Sequence, residues 1–162
     1  MPIQEHQRGE FLISTDKSRV DIDAVHAFLS RSFWPQGIPR EVVARSIAGS
    51  LCLGTYEGKK QIGEGKKQIG FARVISDFAT YADLGDVYVL EEYRGQGLSK
   101  WLMVCILRHP DLEGLRRWCL STRDAHGLYR KFGFELTAYP ERMMEILDFD
   151  IYKRGDPGKA TS

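Results

Sequence analysis

The 162-residue sequence predicts one domain of the α/β (α+β) class, and three observations carry that reading. A chain of 18.5 kDa buries roughly 69% of its unfolded surface on folding, enough for one continuous core. Runs rich in β-branched and aromatic residues alternate with stretches whose apolar residues recur at helical spacing. One of those runs, Leu84 to Leu90, feeds a glycine-containing turn that opens straight into a helix.

The elements follow in order. Phe11, Leu12 and Ile13 form a short apolar run over Glu10 to Ser14, a first strand. Asp16 and Ser18 then offer N-cap oxygens for a helix whose buried face is Ile22, Val25, Phe28 and Leu29. Phe33-Trp34-Pro35-Gln36-Gly37 breaks that pattern, and Pro39 suits the first turn of a second helix with Val42, Val43 and Ile47 inward. Gly49, able to take a left-handed conformation, ends it. Leu51 to Tyr56 and Ile69 to Ser76 read as two strands of a hairpin. Leu98, Trp101, Leu102, Cys105 and Ile106 give the helix after the glycine turn its apolar face, which ends near His109-Pro110. Arg117 to Leu120 is a strand, Ala125 to Phe132 a short helix closed by Gly133, and Phe134 to Thr137 and Met144 to Phe149 are the final strands. The domain thus occupies residues 1–152, and the polar, Gly/Pro-containing residues 153–162 read as a disordered tail.

The hairpin carries a tandem duplication: Glu-Gly-Lys-Lys-Gln-Ile-Gly at residues 57–63 recurs identically at 64–70. One extra copy of seven residues is too short for a solenoid repeat, so it reads as an insertion at a hairpin tip. Identical copies offer β-pairing the same side chains in either register, which predicts heterogeneity there. Lys59, Lys60, Lys66 and Lys67 are solvated tip lysines, or, on the functional alternative, a grip on an acidic partner.

Lys+Arg 23 against Asp+Glu 22 leaves a net charge of +1, which provides no field for nucleic acid or an anionic membrane surface. No run approaches a membrane span, and Met1 to Glu10 is too polar for the core of a signal peptide, so the expected location is the cytoplasm. Cys52, Cys105 and Cys119 include no C-x-x-C pair and read as buried, reduced thiols. His26, His109 and His126 have no second ligand at metal spacing, so no metal is expected.

The chemistry concentrates at Arg94-Gly95-Gln96-Gly97-Leu98-Ser99. Such a turn aims backbone N–H groups and the positive end of a helix dipole at one point, Gly95 and Gly97 permit close approach, and Arg94 adds a permanent charge. A pyrophosphate fits that description better than a neutral ligand. The third glycine of a dinucleotide fingerprint is absent, and no G-x-x-x-x-G-K-[ST] phosphate loop occurs, which disfavours a nucleotide hydrolase.

Here the chain resembles the GNAT superfamily of acyl-CoA-dependent N-acetyltransferases. Its signature, [RQ]-x-x-G-x-[GA], is met by Arg94 to Ser99 except that serine stands at the last position. A second family pattern, N-x-x-A-x-x-L-Y-x-x-x-G-F, is met by Thr122 to Phe134, with Thr122 in place of the asparagine. The resemblance spans Glu10 to Phe149 and implies a mixed, mostly antiparallel central sheet flanked by about four helices, with strands splayed to hold acyl-CoA. It implies that backbone groups of Tyr88, Val89 and Leu90 pair with the pantetheine arm while Arg94, Gly95, Gln96, Gly97, Leu98 and Ser99 bind the pyrophosphate. The implied reaction moves the acetyl group of acetyl-CoA directly to a primary amine, with Tyr129 as general acid. Asp86, Tyr88 and Glu91 are the candidates for receiving the amine proton, through water. Phe33, Trp34 and Tyr81 form an aromatic wall for a small-molecule or peptide amine, or pack a lid, and Asp83, Asp86 and Glu91 suit a cationic amine. The rival function is a non-catalytic acyl-CoA-binding regulatory module on the same fold, and monomer and homodimer both stay open.

Overall fold

The structure, a computed structural model, describes residues 1–33, 35–58 and 67–154. Its elements run β1 (Glu5–Arg8), β2 (Phe11–Ser14), α1 (Ile22–Ser30), α2 (Arg40–Ala48), β3 (Leu51–Glu57), β4 (Lys67–Ser76), β5 (Tyr81–Val89), α3 (Leu98–Leu107), β6 (Arg117–Leu120) and α4 (His126–Arg130). The six strands form one sheet in sequence order, antiparallel throughout except for the parallel pair β5–β6. No described helix is long and apolar enough to cross a membrane.

Strand alternation sends side chains to opposite faces, and a core lies on each. Cys52, Phe71 and Tyr88 face α1 and α2, where Val25, Leu29, Val43 and Ile47 are buried. Leu51, Leu53, Ala72 and Val74 face α3, which buries Leu98, Trp101, Leu102, Cys105 and Ile106. Each of these large residues contributes about 2 kcal/mol of burial, so the helices are fixed from both sides of the sheet that frames the site.

Several local expectations change. Asp16 accepts from Ser18 N and caps only a 3-10 turn, while Asp21, which accepts from Ala24 N at 3.0 Å, caps α1. Gly49 ends α2 at φ −90°, an ordinary right-handed value, so no left-handed cap is used. The final strands are absent: residues 134–137 and 144–149 form no strand, and Met144 and Ile146 lie open to solvent. An apolar run becomes a strand only where a neighbouring ladder takes its backbone groups, and none does here. In the hairpin, the second copy of the duplication supplies Lys67, Gln68, Ile69 and Gly70 to β4. Gln68 joins the layers, with Oε1 accepting from Asp21 N at 2.8 Å and Nε2 donating to the Tyr88 hydroxyl at 3.4 Å. The expected heterogeneity and the lysines of the first copy fall on residues 59–66, outside the described residues, as do residues 155–162 of the tail.

Candidate active site

The site begins where β5 outruns its neighbour. Tyr81–Leu84 pair with Arg117–Leu120, but Gly85–Val89 continue with no partner on that edge. β6 stops because the chain turns toward α4, a turn closed by Thr122 Oγ1 accepting from Ala125 N at 3.0 Å. On its other edge β5 bulges, with Phe71 opposite Tyr88 and Arg73 opposite Gly85, so that Asp86 and Val87 together face Ala72. Asp86 takes φ 53°, a left-handed value rare for a residue with a side chain. Arg73 Nε donates to its Oδ2 at 2.8 Å, and Arg73 Nη1 donates to Ser50 Oγ at 3.1 Å.

The free edge leads to the glycine turn. Leu90 N donates to Ile69 O at 2.8 Å, so by antiparallel alternation Tyr88 and Leu90 direct their backbone groups to β4. Of the three residues expected to offer backbone groups to a ligand, Val89 is the one that turns its N–H and C=O outward. Its carbonyl accepts from Arg94 Nε at 3.3 Å. Gly95 and Gly97 have φ 83° and 77°, and a Cβ at either would meet open space. Gly97 is the N-cap of α3 and no side chain caps the helix, so its first N–H groups are available to a ligand. Val89, Arg94, Gly95, Gly97, Leu98 and Ser99 line a concavity of about 370 Å³ there, with Leu128 opposite. Gln96 projects instead toward Tyr93, whose carbonyl its Nε2 reaches at 3.4 Å.

Beyond the split lie two cavities of about 380 and 680 Å³, which share Asp83, Ser121, Thr122 and Tyr129 as walls. Tyr129 is held by α4 and by an edge-on contact with Phe134, ring centres 6.0 Å apart. It is 9% exposed, and burial raises its phenol above the ordinary value, so it keeps its proton at neutral pH. Among the described residues no protein group hydrogen-bonds its hydroxyl, which leaves that proton free for a ligand.

The other expected residues divide. Asp86 is locked to Arg73 with only 10% of its side chain exposed, an arrangement that suits holding the bulge better than accepting a proton. Tyr88 stacks on Phe28 at 3.8 Å on the opposite face of the sheet, and burial pushes its phenol up to about 12. Glu91 lies exposed in the 3-10 turn after β5. Tyr81 lines the smaller cavity and donates to Asp83 Oδ2 at 3.3 Å; burial first, then Cys119 and Asp83, push it up to about 12. Phe33 lies at the mouth of the larger cavity, 59% exposed, while Trp34 falls outside the described residues. Sequence reasoning passed over Arg123, whose guanidinium lies 4.8 Å over the Phe33 ring. Cys52 and Cys105 are buried, their thiols pushed up to about 11 by burial, but Cys119 is half-exposed in the cavity wall rather than buried. Among the described residues no three His, Cys, Asp or Glu side chains converge to hold a metal.

Comparison with known proteins places this architecture. A family model described as an acetyltransferase (GNAT) domain matches residues 49–136, from the end of α2 to past α4. A Gibberella zeae protein provisionally named an acetyltransferase is 31% identical over 144 residues, 79% of this chain and 80% of the relative. A crystal structure of a Xanthomonas campestris protein, provisionally named an acetyltransferase of the GNAT family, shares 46% identity and a TM-score of 0.81 over 90% of this chain and 99% of that one. A Clostridium acetobutylicum protein, provisionally named an acetyltransferase and solved with acetyl-CoA, is 14% identical over 90% of this chain and 95% of that one and shares the fold at a TM-score of 0.58. The matched model begins just before β3 and covers both the glycine turn and Tyr129, and by that match the chain belongs to the GNAT acetyltransferase family.

Proposed function

We propose that this protein transfers the acetyl group of acetyl-CoA directly to a primary amine. One observation carries the reading: the split between β5 and β6 opens at one end onto the uncapped start of α3 and is walled at the other by Tyr129. A long, anionic-ended thioester fits that path. Its pyrophosphate would take the N–H groups at Gly97, Leu98 and Ser99 and the charge of Arg94, where Gly95 and Gly97 leave the backbone unobstructed. Its pantetheine amide would bond the outward backbone of Val89 as an added strand does. Direct transfer needs no enzyme-bound acyl group. The neutral amine nitrogen attacks the thioester carbonyl, a C–N bond forms and the C–S bond breaks. Tyr129 gives its proton to the departing sulfur. The nitrogen's surplus proton leaves through water toward Asp83, whose carboxylate lines the same cavities, and from bulk water the phenolate regains its own.

The test is steady-state release of CoA thiol from acetyl-CoA with a panel of amines, by wild type and Tyr129→Phe. Loss of the acid lowers kcat by about 10²–10⁴-fold with the acetyl-CoA dissociation constant unchanged. Because burial raises the Tyr129 phenol, kcat shows no falling limb below about pH 10, the ordinary tyrosine value. Full turnover by Tyr129→Phe would remove this residue from the mechanism. Tight acetyl-CoA binding with no turnover of any amine would favour the non-catalytic acyl-CoA-binding module.

A further inference from the structure

We infer that the acceptor amine also carries a carboxylate, as a free amino acid does, and that Arg123 is the residue that reads it. The inference rests on the acetyltransferase reading and names the acceptor for the same site. Five charged side chains line the larger cavity: Arg73, Asp83, Asp86, Arg123 and Asp124. Arg73 and Asp86 neutralise one another at 2.8 Å and are nearly enclosed, so neither has a charge to spare for a ligand. The remaining charges form two poles.

The inner pole is Asp83. Its backbone is fixed in the β5–β6 ladder opposite Cys119, and its side chain is half-buried. Its carboxylate accepts a neutral Tyr81 hydroxyl at 3.3 Å, and among the described residues no cation lies within ion-pair distance. An ionised carboxylate has about four acceptor positions, so most are open to an ammonium group, which gives up one proton to bulk water before its neutral nitrogen attacks. The outer pole is Arg123. Its guanidinium carbon lies over the Phe33 ring, 4.8 Å from the ring centre, and Phe33 is backed edge-on by Phe149 at 6.0 Å. The ring face attracts the cation, and among the described residues no protein group accepts from its N–H donors, so the fork is free to grip a carboxylate through two parallel hydrogen bonds. Among the described residues no carboxylate lies within 4.0 Å of it; even neighbouring Asp124, exposed at the rim, makes no ion pair with it. A polyamine would bring a second cation against Arg123, whereas an amine with a carboxylate satisfies both poles at once.

The experiment measures thiol release from acetyl-CoA with a series of amino acids and with their C-terminal amides, which keep the α-amine and lose the carboxylate. Wild type and Arg123→Gln are compared, with calorimetric titration of acetyl-CoA into each. The expected result is turnover of one or more amino acids, with kcat/KM lower by about 10- to 100-fold for the matching amide. In Arg123→Gln the amino acid falls to the level of its amide while the amide changes less than about twofold. Comparing variant with wild type on the same amide removes the difference in amine basicity between the two series. Equal use of acids and amides by wild type, or an unchanged preference in Arg123→Gln, overturns the inference and leaves the acetyltransferase reading standing. So does acetyl-CoA binding with no amino acid accepted. Failure of wild type to bind acetyl-CoA at all would instead overturn both.

Discussion

Replacing Arg73 with methionine keeps most of the side-chain stem and deletes the charge that holds Asp86. The two groups lie 2.8 Å apart with 18% and 10% of their side chains exposed, so the variant strands a carboxylate that water reaches poorly. Breaking a buried pair from one side costs about 3–5 kcal/mol, and the residual exposure screens part of it, leaving about 2–3 kcal/mol. Asp86 also sits at φ 53°, which adds about 1 kcal/mol of strain that the native pair offsets. The double variant Arg73→Met/Asp86→Gly removes the stranded carboxylate and the strain together, so it should return to within about 1 kcal/mol of wild type. In a chain of 162 residues each kcal/mol moves Tm by about 2–4 °C, which puts the single variant roughly 4–12 °C below wild type. Urea unfolding followed by tryptophan fluorescence, with calorimetry alongside, reads both quantities. A loss under about 0.5 kcal/mol for Arg73→Met, the level of an ordinary surface change, would refute the reasoning. A double variant no more stable than the single one would do the same.

Two further predictions concern folding. Deleting residues 57–63 puts Glu64 in the place of Glu57, which pairs with Lys67, and shortens the connection from nine residues to Gly65-Lys66. Glycine leads that two-residue loop as a type II′ turn requires, so the variant should fold and gain about 1 kcal/mol from the shorter closure. Urea unfolding checks it, and a variant that fails to fold would contradict the insertion reading. His109 is buried with Nε2 unpartnered, and burial lowers its pKa. The unfolded chain takes up a proton near pH 6.5 that the folded one resists, so His109's contribution is full above that pH and lost as pH falls below it. His109→Gln should therefore narrow the difference in stability between pH 7.5 and pH 5.5. An unchanged difference would assign that pH dependence elsewhere.

The parts legible in the sequence were those written locally. α3 shows in the spacing of Leu98, Trp101, Leu102, Cys105 and Ile106, and Arg94 to Ser99 and Thr122 to Phe134 each carry their pattern in one stretch. β6 was bounded at Arg117 and Leu120 because turn residues flank a short apolar run. β1, Glu-His-Gln-Arg, was missed because all four residues are exposed and polar; it is a strand only by pairing with β2. The opposite error, strands at 134–137 and 144–149, has the same root, since pairing partners are a property of the fold. The bulge at Asp86 depends on Arg73, thirteen residues away, and the Arg123–Phe33 contact joins residues ninety apart. Neither leaves a periodic signal. The hydrogen bond from Ala125 N to Thr122 Oγ1, which closes the turn between β6 and α4, was equally hidden.

The central claim is that acetyl-CoA lies along the free edge of β5 with its pyrophosphate on the turn before α3. Calorimetric titration of acetyl-CoA into wild type and into Gly97→Trp, with matching circular dichroism to show that both are folded, tests it most directly. The account predicts binding to wild type in a one-to-one ratio and none to Gly97→Trp, whose side chain would fill the space now open beside the α3 N-terminus. Equal binding by both proteins, or no binding by folded wild type, would contradict it.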